Sequence, residues 1–226
     1  MICKIENICI FMHNEIINNF NEIKKSLKVL NEKTTIIAVS KTFNIDHIRP
    51  LIDHGHNHFG ENKVQEALLK WELEKKNNSS LKLHLIGKLQ TNKVKFVVGL
   101  FDYVHSLDNI KLAKKLSEEE QKKNIYLKYF IQVNIGNEDQ KSGISEENLR
   151  TFYLDCTNKY KLNVVGLMCI PPNDNKQNIY FTKMKDLKHQ LNLKELSMGM
   201  SSDYIEAIKN ESTFIRVGSK IFGERS

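Results

Sequence analysis

Proline is scarce in this chain: three among 226 residues, at Pro50, Pro171 and Pro172. Glycine is limited to ten, and no Gly/Pro/Ser-rich linker interrupts the sequence, so residues 1–226 read as one domain. The four cysteines, Cys3, Cys9, Cys156 and Cys169, form no CxxC pair and no metal-type spacing. That excludes a disulfide-stapled scaffold and fits reduced thiols in the cytoplasm. No apolar run approaches the roughly 20 residues needed to span a bilayer. Residues 1–11 mix Lys4 and Glu6 into an apolar stretch without a small-residue cleavage site, so neither a membrane span nor a signal peptide is expected.

What is present is ordinary for a globular protein: 40% hydrophobic and 27% charged residues. Lys+Arg outnumber Asp+Glu by 34 to 27, a net charge of +7. The lysines are scattered rather than gathered into an arm or stripe with interleaved aromatics, so nucleic-acid binding is not expected. Segments 75–80 and 118–123 are biased in composition; the first reads as a surface loop.

Two periodicities alternate along the chain. Ile16, Ile17, Phe20, Ile23, Leu27 and Leu30 mark one face of a helix at about 10–30. Strand-like runs follow at 35–40, 56–60, 81–86, 103–106, 126–134, 163–168, 195–198 and 213–217. Helical patterns separate them at 45–54, 62–75, 92–98, 109–122, 145–159, 177–191 and 202–209, with a short last helix at 219–222. Ser145 before Glu146 and Glu147 is an N-terminal helix signal. Eight strands each followed by a helix predict an α/β fold with a parallel sheet, and a single-domain (β/α)8 TIM barrel better than an open sheet. No GxGxxG follows the first strand, which removes the dinucleotide-binding open sheet.

Chemistry in such a barrel collects where strands lead into helices. Those positions hold Ser40 and Lys41, then Gly60, Glu61 and Asn62, Gly87, Ser106, Asn134, Met168, residues 197–202, and finally Arg216, Gly218 and Ser219. Turn residues favour strand ends in any case. A lysine directly after TIIAVS has two readings. It snorkels to solvent, or it sits in a partly desolvated mouth where a lowered pKa frees the amine to attack an aldehyde and form a Schiff base. The segment Ser197, Gly199, Ser201, Ser202 and the segment Arg216, Gly218, Ser219 each precede a helix. Hydroxyls, glycines and exposed amides at helix starts form an anion site. In this fold the loops after strands seven and eight often hold phosphate.

The motifs are specific: AVSKT around Lys41, FGENKVQE at 59–66, HLIGKLQTNK at 84–93, VNIGNEDQKSG at 133–143, VVGLMCIPP at 164–172, LSMGMSSDYIEAI at 196–208 and STFIRVGSKIFGER at 212–225. On these the sequence resembles the YggS/PROSC family of pyridoxal phosphate (PLP) homeostasis proteins over nearly its whole length. The resemblance implies a barrel like the N-terminal domain of alanine racemase, with PLP as cofactor. By motif position it makes Lys41 the Schiff-base lysine and brings Asn62 to the cofactor. It places Ser197, Met200, Ser201, Gly218 and Ser219 around the phosphate and sets Arg216 against the pyridine nitrogen. An arginine there keeps that nitrogen unprotonated, because adjacent cations repel, and so weakens the ring as an electron sink. The resemblance further implies a cytoplasmic monomer that holds PLP and passes it to apo-enzymes. The competing reading is a racemase-like enzyme, which needs a second acid–base group; Tyr103, Tyr204 and His84 are the candidates.

Other residues carry less. His54, His56 and His58 suggest a metal, with His56 and His58 on one strand face, but no carboxylate or cysteine completes a site, and none is expected. His84 and His105 read as barrel interior, Trp71 as scaffold, and Met168, Met198 and Met200 as packing near the site. The region 139–141 is a candidate for closing the barrel mouth. The chain stops after GERS and Lys88 occupies a variable position; neither touches the expected PLP ligands.

Overall fold

The computed structural model describes residues 2–138 and 140–224, with side chains described from residue 13 onward; the sequence candidates Cys3, Cys9 and Asp139 thus lie outside the described side chains. Eight short segments close into a barrel in sequence order: β1 (Thr35–Val39), β2 (His58–Glu61), β3 (Lys82–Leu85), β4 (Tyr103–Leu107), β5 (Lys128–Gln132), β6 (Val164–Met168), β7 (Glu195–Ser197) and β8 (Phe214–Val217). Every neighbouring pair is parallel. β8 returns to β1 in a register running from Thr35↔Phe214 to Ala38↔Val217. Closure leaves no strand edge to protect. The expected TIM barrel is the observed fold.

The helices are α1 (Ile2–Leu30), α2 (Ile45–Asp53), α3 (Val64–Asn77), α4 (Val94–Val97), α5 (Ile110–Lys123), α6 (Glu146–Leu154), α7 (Gln177–Gln190), α8 (Tyr204–Lys209) and α9 (Ser219–Phe222). Asn44 and Asn109 cap α2 and α5, accepting from the amides of His47 (2.9 Å) and Leu112 (2.8 Å). α1 turns Ile16, Phe20, Ile23 and Leu27 inward and packs against α2, α8 and α9. Leu30, expected on that face, is exposed at the helix end. No described helix is long and apolar enough to cross a membrane.

Alternation along the strands sorts side chains into two cores. On β1, Ile36 and Ala38 join the outer layer with Phe59, Trp71, Leu83 and Phe181. Ile37 joins Tyr103, Phe130, Met168 and Phe214 on the barrel axis. The interior also holds polar groups: His84, His105, Ser197 and Arg216 are buried.

Three expectations shift in detail. The helix expected at 145–159 ends as α6 and continues as a π-helical turn, Asp155–Lys159, where the Thr157 hydroxyl donates back to the Tyr153 carbonyl (2.9 Å). Ser145 does stand at the N-cap, but its hydroxyl accepts from Asn148 Nδ2 rather than from a backbone amide. Of the loop expected at 75–80, α3 claims residues through Asn77, because Lys75 Nζ is anchored to Asp102 (2.6 Å) and the Leu100 carbonyl (2.8 Å).

Candidate functional site

Four adjacent strand ends, those of β7, β8, β1 and β2, form a continuous arc on the barrel rim, and the sequence candidates lie on it. Lys41, half-buried, follows Ser40 at the exit of β1. The pairing Val39↔Gly60 brings the exit of β2, with half-buried Asn62, beside it. On its other side a Cβ added to Gly218 would meet the Val39 carbonyl oxygen at 3.2 Å and the Val39 Cβ at 3.3 Å, so the exit of β8 lies directly against β1. The Ser219 and Ser201 hydroxyls meet at 3.2 Å, joining the exits of β8 and β7. Gly199 turns the β7 exit at φ +91, and a Cβ there would strike the Ala207 Cβ at 2.6 Å. Met200, half-buried, donates its amide to Asp203 Oδ1 at 2.6 Å.

Arg216 rises from β8 into the buried interior. Its Nη1 donates to the Ser197 carbonyl (2.6 Å) and hydroxyl (2.7 Å), and its Nη2 to the Cys169 carbonyl (2.8 Å). Burial lowers the guanidinium pKa from its usual value, yet an arginine stays charged. Cys169 beside it is pushed up to about 12 by burial and stays a neutral thiol. Ser197 therefore serves Arg216 through both its oxygens, a use its expected place in the phosphate loop did not reveal.

Around Lys41 stands a clamp that the sequence reading passed over. Glu61, fully buried, accepts at Oε1 from Ser40 Oγ (2.7 Å), Lys70 Nζ (2.9 Å) and Trp71 Nε1 (2.9 Å). Lys70 also donates to the Ser40 carbonyl at 2.8 Å. Glu66, one turn earlier on α3, accepts the Thr42 amide at 2.5 Å. Thr42 has φ 72, a left-handed conformation unusual for a β-branched residue. The residues on either side of Lys41 are thus fixed from α3 and β2. The i,i+4 pair of Glu66, the last residue of FGENKVQE, with Lys70 was the signal available. Asn62 is placed by close approach of β3: a Cβ on Gly87 would lie 2.3 Å from the Asn62 carbonyl oxygen.

The remaining candidates lie elsewhere. β2 begins only at His58, so His56 and His58 share no strand face; the His56 Nε2–H donates to the His58 carbonyl (2.8 Å). Among the described residues no group of three or more His, Cys, Asp or Glu could hold a metal. Met168 packs on the barrel axis and Met198 in the outer layer. Trp71 is scaffold with a polar duty, through its bond to Glu61. A cleft of about 820 Å³ between α1 and His54–His58 opens at the strand-start end; it has none of the rim residues.

Residues 13–226 match the family described as alanine racemase, N-terminal domain. The chain is 39% identical over 199 residues to the pyridoxal phosphate homeostasis protein of Aquifex aeolicus, covering 84% of this chain and 86% of that one. It is 37% identical over 226 residues to the protein of that name from Haemophilus influenzae, covering 92% and 95%. The chain belongs to the pyridoxal phosphate homeostasis protein family. PipY of Synechococcus elongatus, a structure of 33% identity with PLP bound, superposes with a TM-score of 0.82 over 92% of this chain and all of that one. Alanine racemase of Clostridium difficile, at 14% identity, shares the fold at a TM-score of 0.75, over 94% of this chain and 57% of that one.

The donor set on the rim suits the cofactor of that family. A phosphate needs hydroxyls, amides and bare backbone. Ser201, Ser219 and the glycine against β1 supply these, and the first turn of α9 leaves amides without intrahelical acceptors. An unprotonated pyridine nitrogen accepts a hydrogen bond, and Arg216 is a buried donor in the same arc.

Proposed function

We propose that this member of the family binds pyridoxal 5'-phosphate reversibly, with Lys41 as covalent anchor, and serves its homeostasis by holding it and handing it to apo-enzymes. The observation that carries this reading is the contiguity of Lys41, Asn62, Gly218, Ser219, Ser201 and Arg216 on four neighbouring strand ends. When bound, the cofactor would supply a phosphate dianion and an aldehyde able to condense with the Lys41 amine with loss of water. Gly218, Ser219, Ser201 and Met200 would hold the phosphate, Asn62 would flank the ring, and Arg216 would donate to the pyridine nitrogen. The Glu61–Lys70 and Glu66–Thr42 contacts hold the backbone on both sides of Lys41, so that stretch of backbone need not be ordered at the moment of binding.

A carrier role is favoured over racemisation by where the second acid–base candidates lie. Tyr103 is buried on the barrel axis, with its hydroxyl 3.3 Å from Lys128 Nζ at the strand-start end. His84 has both ring nitrogens engaged by other histidines. Tyr204 is buried at the start of α8 under Lys220. Mixing the PLP-loaded protein with an excess of an apo-enzyme tests the carrier role. Recovery of the acceptor's activity as PLP leaves Lys41 is expected; retention of all PLP would refute delivery. A chiral assay that found Lys41-dependent turnover would establish the enzyme reading instead.

A further inference from the structure

Three histidines that the proposed binding chemistry does not use run in single file through the barrel. His58 Nδ1 lies 2.9 Å from His84 Nε2, His84 Nδ1 lies 2.9 Å from His105 Nε2, and His105 Nδ1 lies 2.9 Å from Ser197 Oγ. Ser197 Oγ in turn lies 2.7 Å from Arg216 Nη1. The file starts at the first residue of β2, half-buried at the strand-start end, climbs through β3, β4 and β7, and ends under the rim on β8. An aromatic sleeve encloses it. Tyr103 stacks on His84 (4.3 Å between centroids) and Phe130 on His105 (4.3 Å), while Phe214 stands 5.7 Å from His84 and 6.4 Å from His105. Bulky branched side chains usually fill the centre of such a barrel; a row of imidazoles there is costly unless every nitrogen is satisfied.

Arg216 fixes the direction of the row. A guanidinium only donates, so Ser197 Oγ accepts from it. Among the described residues Ser197 Oγ meets only Arg216 and His105, so its own proton goes to His105 Nδ1. His105 is then protonated at Nε2 and donates to His84 Nδ1. His84 is likewise protonated at Nε2 and donates to His58 Nδ1. The opposite order would aim imidazole protons at a cation and leave the hydroxyl proton without an acceptor. Burial holds His84 and His105 well below the ordinary histidine pKa, aided for His84 by the neighbouring histidines and for His105 by Arg216, so both are neutral, as the row requires. At the outer end burial lowers the His58 pKa as well, with Asp102 opposing the shift and Lys82 and Lys128 adding to it.

We propose that His58, His84 and His105 form a directional hydrogen-bond relay that sets the Ser197 hydroxyl and thereby the orientation of Arg216, making them positioning residues for the pyridine nitrogen of the bound cofactor. Two of Arg216's five N–H groups are taken by Ser197 and one by Cys169. Those three bonds fix the plane in which the other two point. The relay itself is a property of this chain's side chains; its effect on the cofactor rests on the function proposed above.

Nitrogen-15 NMR of histidine-labelled protein, recorded without and with PLP near neutral pH, tests the relay. The Nε2–H tautomer is expected at all three histidines, with the His84 and His105 protons protected from solvent exchange. An Nδ1–H tautomer at either of those two, or rapid exchange, would overturn it. PLP-loaded His58→Gln and His58→Phe then test the positioning. In His58→Phe, loss of the outer acceptor is expected to mix the His105 tautomers and to shift the pH midpoint of the bound-PLP absorption band, whereas His58→Gln, whose amide oxygen still accepts, is expected to restore both. Tyr103→Phe, a change in the same core that leaves the row intact, is expected to shift neither. A purely structural role would lower thermal stability while leaving the His105 tautomer and the band midpoint in place, and would refute the positioning. Absence of any PLP band in the wild type would sink the proposed function alone, since the tautomers still decide the relay.

Discussion

Arg216 Nη1 donates to Ser197 twice, to its carbonyl at 2.6 Å and to its hydroxyl at 2.7 Å. This joins the ends of β7 and β8 beside the backbone bonds Met198 N–Phe214 O and Arg216 N–Gly199 O. The guanidinium is thus part of the barrel's closure as well as of the rim. Arg216→Met would strand the buried Cys169 carbonyl and take a charged donor from the Ser197 carbonyl and hydroxyl, which keep only the Cys169 amide and His105. A loss of about 2–4 kcal/mol is expected in urea unfolding, from unsatisfied buried polar groups. A change within about 0.5 kcal/mol, the range of neutral surface substitutions, would contradict this role.

Glu61 and Lys70 form a buried pair, with side chains 0% and 7% exposed. Removing Lys70 leaves the Glu61 charge uncompensated, so Lys70→Met should cost about 3–5 kcal/mol, and Glu61→Gln should cost less, because Lys70 keeps Glu66 at 3.7 Å. The double variant should cost clearly less than their sum, because the second change removes the stranded charge. Simple additivity in a chemical-denaturation cycle would show that the pair is not coupled.

Thr42 holds a left-handed φ of 72 against Glu66. Thr42→Gly removes side-chain strain of order 1 kcal/mol, against a comparable gain in unfolded-state entropy. Thermal stability should therefore change little, while PLP affinity falls because the turn carrying Lys41 is loosened. Melting temperature and equilibrium dialysis measure the two effects separately. Unchanged affinity would mean that the strained turn does not position the lysine.

His56 is half-buried against Phe20. Burial pushes its pKa from about 6.5 to about 4, while its bond to the His58 carbonyl opposes the shift. The unfolded chain takes up a proton near pH 6.5 that the folded chain refuses until about pH 4. Its contribution is therefore present above pH 6.5 and is lost as pH falls through that window, by up to about 3 kcal/mol for this one ring. His84 and His105 are shifted in the same direction. Denaturation curves should show stability falling from pH 7 to pH 4, with a shallower fall in His56→Phe. A flat profile would contradict the neutral burial of these rings.

Much of this was legible from sequence because alternation is a local signal. β-branched runs such as TIIAV and the apolar spacing of residues 16–27 mark their elements directly, and eight repeats leave few architectures. The strand-end position of Lys41 and the glycine–serine loops pointed to one rim because a closed parallel barrel puts all strand ends together. What escaped was nonlocal. The file of His58, His84 and His105 is formed by register among three strands, and each histidine alone looks like an ordinary interior residue. The service of Ser197 to Arg216 depends on a side chain reaching across from β8. Glu61 faces outward to α3 while Asn62 after it stays at the rim; the alternation was readable, but its partners Lys70 and Trp71 were not. The π-helical turn after α6 depends on one threonine hydroxyl, a detail that helical periodicity does not carry.

The central claim is that Lys41 holds the cofactor covalently, and the visible absorption spectrum with PLP tests it most directly. Purified protein should develop a Schiff-base band that borohydride traps on the peptide containing Lys41, and Lys41→Ala should show only the spectrum of free PLP. No band at saturating PLP, or an unchanged band in Lys41→Ala, would contradict the account.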